Sequence, residues 1–410
     1  MQTTLAPFIR DTPEGQEAEQ ILRTCVHCGF CNATCPTYQL LGNELDGPRG
    51  RIYLIKQMLE GENVTDRTML HLDRCLTCRA CETTCPSGVA YGRLADIGRR
   101  VAEERVGRHW LERFRRWTLR AVFASTTLAR AAFGLARALR PLLPSRLREQ
   151  VPPPPSLARS PHRTSPAAAG EKPRMLLLAG CVQDATAPAT NAATSRVLSH
   201  LGFETVVAGG CCGAISHHLS AHDAGLEQMR RNIDAWWPYI ESDVQAIVST
   251  ASGCGTVLKD YGYLLADDPI YRERAQRLSE LVKDVSEVVT PEALETLPRP
   301  PHTEPVAFHP PCSLQHGLKL GGQVERLLTA AGRTLRTFED SHLCCGSAGT
   351  YSVLQPKLAD RLLEAKLNAI EGSFPKVIAT ANIGCQLHLG RRASVPVRHW
   401  IELIAEQLPE

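Results

Sequence analysis

Two hydrophobic periods alternate through the later part of the chain. Short apolar runs at 175–179 and 306–308, and the β-rich segments AIVST and KVIAT, are separated by helical patterns such as NAATSRVLSHLG. Strands alternating with helices predict small parallel sheets. A different pattern fills residues 108–148. Trp110, Phe114, Trp117, Ala121, Ala124, Leu128, Ala132, Leu135 and Leu139 recur at steps of three or four, which predicts one helical stripe. Arg113, Arg116, Arg120, Arg130 and Arg137 stand off that stripe. A basic amphipathic helix of this kind suits an anionic membrane surface, or else packing on its own domain or on a partner. The run VPPPPSLARSPHRTSPAAAGEKP at 151–173 nearly lacks large apolar residues and reads as a linker.

The apolar runs belong to an internal repeat. PRMLLLAGCVQ matches PVAFHPPCSLQ, GGCCGAISHH matches HLCCGSAGTY, and AIVSTASGCGTVLKDYG matches VIATANIGCQLHLG. Cys181 and Cys312 lie 131 positions apart, Cys211 and Cys344 133, and Cys254 and Cys385 131. Each half is expected to form a small parallel sheet. Cys181, Cys254, Cys312 and Cys385 each follow an apolar strand and should gather at the rim where such sheets hold ligands.

Composition narrows the chemistry. A chain of 410 residues predicts two or three domains. Its 46 basic and 43 acidic residues nearly balance, and charge names no partner. The amino terminus has no secretory pattern, and no apolar run is long enough to span a membrane. In a reducing cytoplasm sixteen cysteines point to metal ligation rather than disulfides. No G-x-G-x-x-G, G-x-x-x-x-G-K-[ST] or G-x-S-x-G is present, so no substrate-oxidising, nucleotide or hydrolase site is expected in this chain. The arginine-rich stretch matches no recognised reader of nucleic acid, and none is expected as a partner.

Residues 25–36 (CVHCGFCNATCP) and 75–86 (CLTCRACETTCP) both fit C-x2-C-x2-C-x3-C-P, the two-cluster ferredoxin pattern. On that pattern Cys25, Cys28 and Cys31 group with Cys85, and Cys75, Cys78 and Cys81 with Cys35. Pro36 and Pro86 end the loops. Zinc is the alternative, although it prefers separated pairs in tetrahedral geometry. Two coupled 4Fe-4S clusters make a one-electron conduit. In the repeat, Cys181, Cys211, Cys212 and Cys254, then Cys312, Cys344, Cys345 and Cys385, are candidates for further iron-sulfur ligation. Gly213 and Gly346 permit a tight backbone approach there. Buried or regulatory thiols are the alternative. His217, His218, His309 and His342 stand near these cysteines and could tune a cluster or carry protons for a quinone.

Two ferredoxin motifs followed by two Cys-Cys-Gly repeats resemble a group that includes heterodisulfide reductase subunits and the anaerobic glycerol-3-phosphate dehydrogenase small subunit. The segments CVHCGFCNATCPTYQLLGNELDGPRGRIYLIKQ, HLDRCLTCRACETTCPSGV, NIDAWWP, SHLCCGSAGTY, TANIGCQ and VRHWIEL resemble the glycolate oxidase iron-sulfur subunit family. The resemblance implies an oxidoreductase subunit that takes electrons from flavin-bearing subunits oxidising glycolate to glyoxylate. It would pass them to quinone while lying peripherally on the cytoplasmic face of the inner membrane. An equivalent subunit for D-lactate or glycerol-3-phosphate, or a redox sensor without turnover, are the alternatives. The repeats end in GCGTV and GCQLH, without the C-x2-C of heterodisulfide reductase, so disulfide chemistry is not implied. The expected architecture is a multi-domain α+β chain. It comprises a helical dicluster domain (1–105), a basic helical segment (106–150), the linker (151–173) and two α/β halves (174–298 and 304–410) about a pseudo-two-fold.

Overall fold

The computed structural model describes residues 1–144, 148–154, 172–298 and 304–408, so most of the run at 151–173 lies outside the described residues. The chain divides into two compact units, one comprising Met1–Arg116 with His342–Lys366, the other Trp117–Ser341 with Leu367–Glu410.

The first unit is helical, and its helices start where local chemistry dictates. Thr12 caps Pro13–Thr24 by accepting from Gly15 N at 3.1 Å, with proline at the first helical position. Thr65 and Thr68 form a reciprocal capping box on Asp66–Asp73. Leu22, Ile55, Leu59, Leu72, Leu94 and Ala102, from four helices, bury together in one core. The cysteine loops are the connections that this core holds in place. The His342–Lys366 segment is tied to the same unit by hydrogen bonds from Tyr351 Oη to Arg74 O (3.2 Å) and from Arg361 Nη2 to Leu40 O (3.1 Å).

The second unit carries two parallel four-stranded sheets. Strands β1 (Arg174–Gly180), β2 (Glu204–Gly210), β3 (Ala246–Ser249) and β4 (Val282–Asp284) run in the order β2-β1-β3-β4. Strands β5 (Val306–His309), β6 (Leu335–Arg336), β7 (Val377–Thr380) and β8 (Val397–His399) repeat it as β6-β5-β7-β8. Leu177 pairs with Val207 and Val248, and Ala307 with Arg336 and Ile378. Every residue of β1 is buried, as a central parallel strand covered on both faces requires. The halves exchange helices. Pro188–His200 packs on Trp400–Ala405 of the other half, and Gln323–Ala330 packs on Pro291–Glu295. Val197, Leu294, Leu327 and Trp400 therefore share one apolar core between the two halves.

The basic stripe departs from its expected form. It is two helices, Trp110–Phe123 and Thr126–Ala138, because Ser125 accepts from Leu128 N (3.4 Å) and restarts the helix. Periodicity cannot register such a cap. Its apolar side is open: Trp110 is 65%, Trp117 56% and Leu135 63% exposed. Among the described residues no helix is long and apolar enough to cross a membrane.

Candidate metal centres

In the first unit the two cysteine loops reverse direction at matched places. His27 and Gly29 flank Cys28 with φ of 59° and 86°, and Thr77 and Arg79 flank Cys78 with φ of 53° and 61°. Left-handed backbone at three non-glycine residues costs about 1–2 kcal/mol each and is held here by the surrounding helices. The result is a crossed grouping of thiols. Cys25 and Cys31 each lie within electrostatic reach of Cys28 and Cys85, and the four line one cavity with Cys81, His27, Arg49 and Ile52. Cys81 is surrounded in the same way by Cys75, Cys78 and Cys35. All sixteen cysteines are unbridged.

These thiols suit a soft, positively charged group. Burial pushes Cys31 up to about 11, with Cys25 and Cys85 adding to the rise. Burial drives Cys81 well above the thiol range, helped by Cys78 and Cys75. Crowded buried thiolates need a counter-charge, and iron supplies it while accepting sulfur ligands. Cys75 differs. Burial acts to raise it too, but Arg51 and Arg99 outweigh that, with Thr77 N (3.4 Å) and Tyr91 Oη (3.6 Å) donating to its sulfur, and its pKa falls below the ordinary value.

A polar network that sequence reasoning missed supports this loop. Buried Asp46 binds His71 Nδ1 and Arg74 Nη1, both at 2.9 Å, and lies 3.8 Å from Arg51. Thr37 Oγ1 donates to Asp46 O (2.7 Å), accepts from Arg51 Nη2 (3.1 Å) and touches Cys35 Sγ (3.3 Å). No short motif announces such a network, because its members come from separate helices.

In the second unit, the first Cys-Cys-Gly half assembles its quartet from adjacent strand ends. Cys181 follows β1, Cys211 and Cys212 follow β2, and Cys254 sits in the Ser252–Lys259 helix after β3. Cys181 shares a hydrogen bond with Cys211, and Cys254 one with Cys212. The bond to Cys211, then burial, raises Cys181, while Cys211 is held below its ordinary value by the same bond. Gly213 has φ 84°, and a Cβ there would stand 3.1 Å from Gly225 O, so the turn requires glycine. Asn232 Nδ2 binds Cys211 O (2.7 Å) and Tyr261 Oη binds Cys212 O (3.1 Å), fixing the adjacent pair. His217 Nδ1 stands 3.2 Å from Nδ1 of His222, a residue not singled out from sequence, while His218 is exposed.

The second half is divided between the units. Cys312 and Cys385 belong to the second, and a ring nitrogen of buried His309 lies within 4.8 Å of Cys385 Sγ. Asn382 Nδ2 also approaches Cys385 Sγ (3.8 Å). Cys344 and Cys345 belong to the first unit, where Gly346, with φ 91°, donates its N–H to Cys344 Sγ at 3.5 Å. His342 is half-buried in that unit.

Paired ferredoxin-type loops on a helical unit and a duplicated parallel-sheet domain bearing adjacent cysteines define a dicluster iron-sulfur protein with two cysteine-rich domains. Family profiles agree: the 4Fe-4S dicluster domain matches residues 21–89, and the cysteine-rich domain matches 175–259 and 306–390. The glycolate oxidase iron-sulfur subunit of Escherichia coli (strain K12) is 51% identical over 412 residues, covering 100% of this chain and 99% of that one. A probable glycolate oxidase iron-sulfur subunit of Bacillus subtilis (strain 168) is 31% identical, covering 94% of each. Lactate utilization protein A of an Exiguobacterium strain is 26% identical over 57% of this chain and 98% of its own length. This chain belongs to the glycolate oxidase iron-sulfur subunit family.

Proposed function

We propose that this chain is the electron-transfer subunit of a glycolate-oxidising complex. It takes electrons from a flavin-bearing partner that converts glycolate to glyoxylate and passes them towards quinone. The observation that carries the reading is the crossed grouping of eight thiols in a chain similar over its full length to a glycolate oxidase iron-sulfur subunit. Cys25, Cys28, Cys31 and Cys85 would hold one 4Fe-4S cluster, and Cys75, Cys78, Cys81 and Cys35 a second. Cys181, Cys211, Cys212 and Cys254 have the donor set for a third, and Cys312, Cys344, Cys345 and Cys385 are the matching residues of the second half. Such clusters supply one-electron transfer with little rearrangement. The protein's own part is to bury the thiols, fix their spacing and set the charge around them. Substrate oxidation needs a hydride acceptor, which the partner's flavin provides. The exposed stripe through Trp110, Trp117 and Leu135, beside Arg113, Arg120 and Arg137, supports peripheral contact with the anionic cytoplasmic face of the inner membrane.

The test uses the intact complex, purified anaerobically. Cys28→Ser and Cys78→Ser are each expected to remove about four irons per chain. Glycolate should still bleach the partner's flavin in both variants, but quinone reduction should fall at least a hundredfold. Normal quinone reduction in both variants would overturn the proposal. The likeness to lactate utilization protein A favours lactate as a second donor, and a complex whose flavin is bleached by lactate but not by glycolate would select it.

A further inference from the structure

Two arginines are buried inside the first unit on helices that otherwise supply apolar core. Arg51 lies on Pro48–Leu59 beside Ile52 and Ile55, and Arg99 lies on Tyr91–Val106 beside Leu94, Ala95 and Ala102. Burying a guanidinium costs several kcal/mol unless its charge is met, and neither charge is fully met. Among the described residues Arg99 donates to neutral oxygens, Leu72 O (3.1 and 3.2 Å), Cys75 O (2.6 Å) and Thr77 Oγ1 (2.8 Å), and the carboxylate within its reach, Asp73, is shared with Arg108 and Arg116. Arg51 donates to His71 O (2.7 Å) and Thr37 Oγ1 (3.1 Å). Its carboxylate, Asp46, is 3.8 Å away and is shared with His71 and Arg74. A surplus of buried positive charge therefore faces Cys75 and Cys35.

The thiols register that charge. Cys75 and Cys81 are both buried, yet Cys75 is shifted down and Cys81 up. Thr77 N (3.4 Å) and Tyr91 Oη (3.6 Å) also donate to Cys75 Sγ. The cations near the other thiol set are only partly buried. Arg49, near Cys31, is paired with Glu44 at 2.6 Å in a partly exposed bridge, and the half-buried Met1 amino group, within electrostatic reach of Cys25, donates to Leu22 O (2.8 Å) and Cys25 O (2.6 Å).

We infer that Arg51 and Arg99 are positioning residues that make the site of Cys75, Cys78, Cys81 and Cys35 the more easily reduced of the two ferredoxin-type sites. Gaining an electron makes a thiolate-bound cluster more negative, and an uncompensated cation in a low-dielectric interior favours that state. The tuned site is also the one beside the second Cys-Cys-Gly loop. Tyr351, bound to Arg74 O at 3.2 Å, is within electrostatic reach of both Cys75 and Cys344. The inference rests on the thiol grouping proposed above.

Anaerobic redox titration of the full chain, followed by electron paramagnetic resonance, tests it, with Cys28→Ser and Cys78→Ser used to assign the two signals. In the wild-type chain the signal lost in Cys78→Ser is expected at the higher potential. Finding it at the lower one would overturn the inference. Arg99→Gln and Arg51→Gln should lower that signal's reduced-to-oxidised ratio at least tenfold at fixed potential, about 59 mV for one electron. The other signal should not move, and Arg99→Lys, which keeps the charge, should restore most of the ratio. Unchanged ratios in both glutamine variants at full iron content would also overturn it. Fewer than two clusters in the wild-type chain would overturn the thiol grouping, and the inference with it.

Discussion

The two Cys-Cys-Gly halves share strand order, parallel pairing and cysteine spacing, but at one matched place they use opposite chemistry. Strand β4 ends on Asp284 and β8 on His399, and each side chain caps the next helix. Asp284 Oδ1 accepts from Ser286 N (2.9 Å) and His399 Nδ1 from Ile401 N (3.2 Å). Both are buried. Burial pushes Asp284 up to about 6, although Ser286 opposes the rise, and its Oδ2 has no hydrogen-bond partner among the described residues. Burial pushes His399 down to about 4, while its other nitrogen donates to Thr250 O (2.8 Å). A duplicated fold thus preserves the cap, a hydrogen-bond acceptor at the strand end, and leaves open which titratable group supplies it. The same lesson holds for the cysteines. The first quartet is completed within one unit, whereas the second Cys-Cys-Gly loop belongs to the unit of the ferredoxin-type loops.

Removing one thiol from each half tests their equivalence most severely. Cys212→Ser and Cys345→Ser are each expected to lower iron by about four atoms per chain. A loss confined to Cys212→Ser, measured by iron and acid-labile sulfide, would break the comparison. A smaller effect comes from pH. Asp284 holds its proton more tightly when folded than its ordinary pKa of about 3.9, so its contribution to stability falls as pH rises from about 4 through 6. His399 is neutral when folded and titrates near 6.5 when unfolded, so its contribution rises over the same window. The Lys259–Glu287 pair beside Asp284 adds no net charge. The two slopes oppose each other in the wild-type chain. Asp284→Asn should expose a stability rising with pH by on the order of 3 kcal/mol, and His399→Gln a stability falling by a similar amount. Denaturant midpoints between about pH 4 and 6.5 measure both, and parallel slopes in the two variants would refute the opposition.

The mildest contrast concerns the glycines. Alanine at Gly213 or Gly346 meets a left-handed backbone, but at Gly346 its Cβ would also lie 2.9 Å from Ala359 O, against 3.1 Å from Gly225 O at Gly213. Gly346→Ala is expected to cost about 1–2 kcal/mol more than Gly213→Ala, read as the difference in their thermal midpoints.

Much of this was legible in the chain itself. The C-x2-C-x2-C-x3-C-P spacing foretold a dicluster iron-sulfur chain, and offsets of 131 to 133 residues foretold that the sheet would be duplicated. Such signals are local: a loop of seven residues has few ways to turn three thiols inward, and a short apolar run between helical periods has few partners other than a parallel strand. Tertiary structure alone decided the rest. Ser125 broke a stripe that periodicity read as continuous, because a side-chain cap competes with the helix it interrupts. The placement of Arg51 and Arg99 beside Cys75, of Asp46 between His71 and Arg74, and of Tyr351 beside Arg74 joins residues far apart in the chain. Whether a buried charge is compensated depends on every element packed around it, and spacing along one segment carries no information about that.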